Sequence, residues 1–379
     1  MISVDDNRDS AAKRTFSLAA RLLSALKLDG PLLVGLGLLA VYALLVQYSA
    51  SGQSLETILR TLMRIGLGTV AMIALAQSSP NFLRGLAPWL YGIGIVLLLV
   101  VDAIGYVGKG AQRWLDVGLI RFQPSEIMKL AVPMVAASFM HERRLPPEWR
   151  DLLMLAGIIL LPVALIAMQP DLGTAVLVFA AGVLVILMAG LQWQVIAGLA
   201  VAGVGAAVVG WNFLHDYQRQ RIRIFLDPQS DPLGSGYHII QSQIAIGSGG
   251  LFGKGWMNGS QAQLDFLPER STDFIFAVIG EEFGLIGLIV LLLLYLFIVS
   301  RAIFLATQSS GTFARLLGSS LALTFFVYVF INAGMVSGLL PVVGVPLPLV
   351  SYGGTSMVTL LAGFGILMAL NSHRKLVGS

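Results

Sequence analysis

Cysteine is absent from the 379 residues, which excludes disulfides and thiolate metal sites and leaves the redox compartment unmarked. Charge is scarce: 12% of residues are Asp, Glu, Lys or Arg, against about 25% in a soluble domain. Histidine occurs four times, as His141, His215, His238 and His373. None has metal-ligand spacing, so no protein-ligated transition metal is expected. What is present is apolar: 56% of residues are hydrophobic, and the mean hydropathy is +0.83. The apolar runs are long enough to cross a hydrocarbon core of roughly 30 Å as helices. The composition is that of an integral membrane protein. Its net charge of +4 suits anionic lipid head groups rather than nucleic acid.

The pattern predicts an all-α polytopic bundle of about ten transmembrane helices. They lie near 31–50, 61–77, 87–104, 127–140, 152–169, 172–191, 194–213, 273–299, 314–340 and 352–370. An even count puts both termini on one side. The terminus-side segments hold thirteen of the 24 basic residues, including Lys13, Arg14, Arg84, Arg143, Arg144, Arg150, Arg301 and Arg315. By the positive-inside rule both termini are expected to be cytoplasmic. Residues 1–29 read as a cytoplasmic amphipathic segment, with Phe16, Leu18, Leu22, Leu23 and Leu26 interleaved with Lys13, Arg14, Arg21 and Lys27. Residues 30–379 form the transmembrane domain. No cleavable signal peptide is expected, because the apolar run begins too late and no small-residue cleavage site follows it.

One interruption breaks the apolar rhythm. The polar stretch at about 215–272 is far longer than a connection between spans requires, and the same topology makes it one large extracytoplasmic loop. It ends by carrying Asp273 into the next span, and an ionisable group there invites a functional reading. On spacing alone Asp273 is either a helix N-cap or a carboxylate at the water boundary able to take a proton. Glu281 and Glu282 lie about 12 Å deeper at 1.5 Å per residue, where bracing the bundle or capping a helix end is the expected role. Glu126 and Lys129 share a helix face by i,i+3 spacing. They read as a structural ion pair or as part of an outward cationic pocket with Lys109, Arg113, Trp114 and Arg121. Asp171 fits the cap of the following helix.

Nucleotide chemistry fails at the residue level. The run Gly249-Gly250-Leu251-Phe252-Gly253-Lys254-Gly255 has Ser248 where a P-loop needs its first glycine, and Gly255 where Ser or Thr must hold magnesium. No Gly-x-Ser-x-Gly elbow occurs. These glycines form either a tightly turned re-entrant loop or a nest of backbone N–H groups for an anion beside Lys254.

Several blocks, in order, resemble one family. They are Lys109-Gly110-Ala111-Gln112-Arg113-Trp114-Leu115-Asp116, Phe122-Gln123-Pro124-Ser125-Glu126, Gln169-Pro170-Asp171-Leu172-Gly173-Thr174 and Asp231-Pro232-Leu233-Gly234-Ser235-Gly236-Tyr237-His238. The glycine run, Leu267-Pro268-Glu269-Arg270-Ser271-Thr272-Asp273-Phe274 and Leu347-Pro348-Leu349-Val350-Ser351-Tyr352-Gly353-Gly354 complete the set. Together they resemble the SEDS (shape, elongation, division and sporulation) family, and within it the elongation member.

The resemblance implies a peptidoglycan glycosyltransferase of the bacterial cytoplasmic membrane. Such an enzyme polymerises lipid II on the outer face during cell elongation and the maintenance of rod shape. It implies Asp273 as the essential carboxylate and Glu126, Lys129, Arg121 and Trp114 as site residues. Its partners would be lipid II, membrane lipids, a class B penicillin-binding protein and the cell-elongation complex. Cations that would clamp pyrophosphate are drawn from Lys109, Arg113, Arg121, Lys129, Arg219, Arg221, Arg223, Lys254 and Arg270. No cofactor motif is present, and a divalent cation, Mg or Mn, would ride on the substrate pyrophosphate. The chief alternative is a lipid II flippase, which predicts substrate groups near the midplane. Here the candidate groups gather at the outer boundary. A non-catalytic scaffold would leave the basic outer loop without a purpose.

Overall fold

The computed structural model describes residues 21, 23–108, 111–116, 121–210, 212, 216–231 and 234–372. Seven helices come first: α1 (Gly30–Ala50), α2 (Leu55–Ala76), α3 (Pro80–Ile104), α4 (Pro124–His141), α5 (Trp149–Met168), α6 (Leu172–Met188) and α7 (Trp193–Gly210). Three shorter ones occupy the polar stretch: α8 (Asp216–Leu226), α9 (Ser235–Gly249) and α10 (Ser260–Gln263). The chain ends with α11 (Ile275–Thr307), α12 (Thr312–Val336) and α13 (Thr355–Ser372). Each of the ten predicted spans meets a helix. By length and composition α1, α2, α3, α5, α11, α12 and α13 can cross a membrane, and α6 is an apolar helix of 17 residues. The amphipathic reading of residues 1–29 falls largely outside the described residues.

Short polar breaks set the helix starts. Asp29 accepts from the Leu32 N–H at 2.9 Å, Ser54 from Thr57 at 3.3 Å and Ser79 from Phe82 at 3.1 Å. Each satisfies an N–H that the first turn leaves unpaired. Between α3 and α4 the chain forms a small antiparallel sheet of β1 (Tyr106–Gly108), β2 (Ala111–Asp116) and β3 (Arg121–Phe122), in the order β1-β2-β3. The bundle is helical as expected; this sheet is an addition that the apolar pattern did not signal.

The helices pack in the pairs α2 with α13, α11 with α12, α3 with α4 and α6 with α12. α2 leaves Leu59, Met63, Leu67 and Val70 exposed, the apolar face that a bilayer covers. At the end carrying the termini, Arg301 grips Asp29 through two hydrogen bonds, Nε to Oδ1 at 2.9 Å and Nη2 to Oδ2 at 2.7 Å. This fork ties the start of α1 to the last third of α11.

The polar stretch folds back onto the bundle. α9 packs on α11, and its Ser242 hydroxyl donates to the Val336 carbonyl at 2.8 Å, satisfying an acceptor that the end of α12 leaves free. The glycine run then enters a break in α11 at Gly284, whose φ of 64° is non-helical. The exchange is reciprocal. Lys254 and Gly255 N–H groups donate to the Glu281 and Glu282 carbonyls at 2.9 and 3.0 Å, while Leu285 and Ile286 donate to Gly250 and Leu251 at 2.9 and 3.2 Å. A broken helix at membrane depth must have its backbone groups re-satisfied, and this loop does so. A Cβ on Gly253 would collide with the Glu282 carbonyl, and one on Gly284 with the Gly253 nitrogen. The re-entrant reading therefore holds over the anion nest, since the Gly253, Lys254 and Gly255 N–H groups are already paired.

Candidate active site

Asp273 lies in the turn before α11, partly buried between Thr272 and the core residue Phe274. The turn is held by residues 339–354, an irregular strap connecting α12 to α13. The Tyr352 N–H donates to the Ser271 carbonyl at 2.8 Å, and the Ser351 hydroxyl donates to the Thr272 carbonyl. Asn332 bridges the two segments, its side-chain amide donating to the Asp273 carbonyl at 2.9 Å and to Val345 at 2.8 Å. A Cβ built on Gly344 would lie 3.5 Å from Asp273 Oδ2. The carboxylate thus stands directly against the strap.

Side chains from distant elements fix the strap in turn. Gln47 of α1 donates to Val350 at 2.6 Å, Tyr295 of α11 to Pro348 at 2.7 Å, and Arg221 of α8 to Val342 at 2.9 Å. Buried carbonyls in irregular backbone require such partners. Their effect is to immobilise the wall facing Asp273 and to bring the Arg221 guanidinium to it.

Gly173 of α6 closes the far side of the strap, where a Cβ would approach the Val343 carbonyl to 2.7 Å. Asp171 beside it caps α6 by accepting from Thr174 at 3.3 Å and also accepts from Gln123 at 2.7 Å. Arg113 reaches from β2, Nε donating to the Gln169 carbonyl at 3.3 Å and Nη1 standing 3.7 Å from Asp171. Two neighbouring motif blocks, 109–116 and 122–126, therefore meet the remote block 169–174 around one corner.

The Glu126–Lys129 pair lies inside the bundle on α4. Nζ meets Oε1 at 2.6 Å and lies 5.2 Å from the Tyr328 ring centre. Both side chains are 6% exposed, so the pair is desolvated and each partner depends on the other. Glu126 Oε2 and the Ser125 and Thr324 hydroxyls have no protein partner among the described residues. A small apolar cavity of about 30 Å³ lies beside Lys129, lined by Thr324, Phe325, Tyr328, Leu360 and Phe364 among others.

Other sequence candidates are placed elsewhere. Lys254 gives its ammonium to Glu281 at 2.7 Å, and that buried carboxylate also accepts from Ser260 at 3.1 Å and from the Gln261 and Ala262 N–H groups at 2.9 and 3.2 Å. Glu281 is thus the cap of α10, and Lys254 is bound to it. Arg270 pairs with Asp265 at 2.6 Å. Arg219 donates to the Asn212 carbonyl at 2.8 Å. Trp114 lies in β2 opposite Tyr106, Arg121 in β3 with its main chain paired to Asp116, and Lys109 falls outside the described residues. Sequence reasoning assigned no role to Asn332, Gly344 or Gln47. Gly344 stands three residues before the Leu347–Gly354 block, whereas Gln47 and Asn332 carried no local signal.

Near Asp273, the His238 ring stacks on Phe274 with centroids 5.7 Å apart and an interplanar angle of 17°. Burial holds its pKa below the ordinary histidine range, against the opposing pull of Glu269 and Asp231. No set of three or more His, Asp or Glu side chains converges as a metal site among the described residues.

Comparison with known proteins bears on the fold and the family. The chain is 52% identical to the peptidoglycan glycosyltransferase MrdB of Escherichia coli (strain K12) over 371 residues, 97% of this chain and 98% of that one. Its fold matches a chain from a peptidoglycan synthase complex that coordinates polymerization and crosslinking, with a TM-score of 0.80 and 34% identity over 92% of this chain and 98% of the other. It also matches the rod shape determining protein RodA of Thermus thermophilus, with a TM-score of 0.70 and 30% identity over 91% and 97%. The profile of the FtsW/RodA/SpoVE cell cycle proteins covers residues 25–376, and the chain belongs to that family of multi-pass membrane proteins.

Proposed function

We propose that this chain acts as a peptidoglycan glycosyltransferase that polymerises lipid II by a single inverting displacement, with Asp273 as the general base. The observation that carries the reading is the placement of Asp273: a partly buried carboxylate at the head of α11, pressed against a strap that α1, α8, α11 and α12 hold rigid. The sugar of lipid II is α-linked to pyrophosphate, and the new glycan bond is β, so one inversion suffices. The acceptor 4-hydroxyl loses its proton to Asp273 as its oxygen attacks the donor C1. The C1–oxygen bond to pyrophosphate breaks, and undecaprenyl pyrophosphate leaves with the electron pair. The carboxylate works as the base does in an inverting glycosidase, a proton transfer that typically contributes about 10²–10⁴-fold.

Departure of pyrophosphate needs positive charge already in place. Arg221, set by the strap, and Arg113, set by the Asp171 corner, supply it from rigid elements, and the loop residues Lys109, Arg121 and Trp114 complete the pocket. Glu126 and Lys129 form its floor. A divalent cation, Mg or Mn, would enter on the pyrophosphate. The site faces outward with both termini cytoplasmic. A class B penicillin-binding protein crosslinks the product within the cell-elongation complex. A flippase reading has no specific observation in its favour among the described residues.

The test is polymerisation of lipid II by purified protein with its transpeptidase partner. Asp273→Asn is expected to fold, bind the partner and make no glycan. Undiminished polymerisation by this variant would overturn the assignment of the base.

A further inference from the structure

The strap has two ends, and only one has been given a role. At residues 342–345 it carries Arg221 and abuts Asp273. At its other end Tyr352 meets α2, where Arg64 Nη2 donates to the Tyr352 hydroxyl at 3.2 Å and the guanidinium carbon stands 4.3 Å from the ring centre. The cation is thus fixed by stacking and by a hydrogen bond together. Its second terminal nitrogen, Nη1, is buried and has no partner among the described residues. Leaving a charged donor unsatisfied is costly, and a planar guanidinium with a free N–H is matched by a phosphate oxygen. Arg60, one turn earlier on the same helix face, adds a further charge beside Glu56. Tyr352 is also the residue whose N–H holds the Ser271 carbonyl, so this cation is tied to the same turn that presents Asp273.

Joining two lipid-linked sugars brings two pyrophosphates to one carboxylate, and each needs its own positive charge. We infer that Arg64, held by Tyr352, binds the pyrophosphate of the second lipid-linked sugar, while Arg221 at the other end of the strap serves the first. The inference rests on the proposed glycosyl transfer but not on which group acts as base. Arg64 is a binding and positioning residue. The chemistry it recognises is a phosphate carried on a lipid, which a phospholipid head group could also supply.

The experiment uses the full-length protein carrying Asp273→Asn, so that binding is read without chain growth. Undecaprenyl pyrophosphate is titrated calorimetrically in neutral-lipid nanodiscs. Two equivalents are expected to bind. Adding Arg64→Ala should weaken one of them about tenfold to a hundredfold, the worth of a charge-assisted hydrogen bond, and leave the other unchanged. Arg64→Lys should recover part of the loss. Tyr352→Phe keeps the ring, removes the hydroxyl and should cost the same equivalent a smaller factor, which preserves the test if Arg64→Ala misfolds. A single equivalent in the parent, or two unaltered equivalents in Arg64→Ala, would overturn the inference. So would displacement of the Arg64-dependent equivalent by equimolar phosphatidylglycerol, which would make the site one for phospholipid head groups. Polymerisation by Asp273→Asn would instead overturn only the assigned base.

Discussion

Asp273, in the turn before α11, and Glu281, within that helix, have opposite surroundings. Glu281 is wholly buried and accepts from Lys254, Ser260 and two N–H groups of α10. Its acceptor capacity is consumed by the fold. Asp273 is partly exposed and lies against the bare Cα of Gly344, with its main-chain carbonyl, not its carboxylate, bonded to Asn332. The difference teaches that depth alone does not nominate a catalytic carboxylate. A carboxylate already shared by Lys254, Ser260 and two backbone N–H groups has no capacity left for a substrate proton.

That contrast can be broken directly. Asp273→Asn should lower the polymerisation rate by about 10²–10⁴-fold with an unchanged thermal unfolding midpoint; a large fall in the midpoint would move Asp273 into the same class as Glu281. Glu281→Ala should do the reverse, costing about 1–3 kcal/mol of stability by leaving the Gln261 and Ala262 N–H groups without their acceptor, measured as reduced detergent resistance and unfolding temperature. For the buried pair on α4, Glu126→Ala or Lys129→Ala alone should destabilise by about 3–5 kcal/mol. The double variant should recover stability without recovering activity, and a fully active double variant would reduce the pair to scaffolding. Gly284→Ala should cost about 1–3 kcal/mol from a backbone conformation that only glycine adopts readily, with the collision against Gly253 adding to it, read in the same thermal assay.

The smallest effect concerns pH. Burial lowers the His238 pKa, so the folded state binds the proton less readily than the unfolded one. Stability from the neutral ring is complete above the ordinary value of about 6.5 and declines as pH falls below it. The unfolding temperature should drop between about pH 7 and 5.5, and His238→Gln should flatten that slope.

Much of this was legible from residue order. Hydropathy located every long helix, because each must satisfy its own backbone in lipid and so announces itself as an apolar run. Asp171 was readable as a cap, since capping is local and Thr174 is three residues on. Pairings across sequence were not. Lys254 looked free for a ligand because its partner Glu281 lies 27 residues away on another element. The glycine run offered a re-entrant turn ahead of an anion nest, and the choice depended on a break in α11 that Gly284 permits but does not announce. The strap was hidden for the same reason: its anchors Gln47, Arg221 and Tyr295 each come from a separate helix. The catalytic assignment of Asp273 came from resemblance to a family and not from spacing.

The exchange between the glycine run and α11 bears on what length changes this chain tolerates. Connecting segments at a protein surface usually accept insertions and deletions. Residues 250–255 are matched to α11 by main-chain bonds from both strands, so one residue added or removed there would slide donors past acceptors in a medium without water to replace them. A tag or linker placed between Gly250 and Gly255 should therefore abolish insertion of a stable protein, whereas the same insertion at Ser309–Gly311, in the turn between α11 and α12, should be accepted.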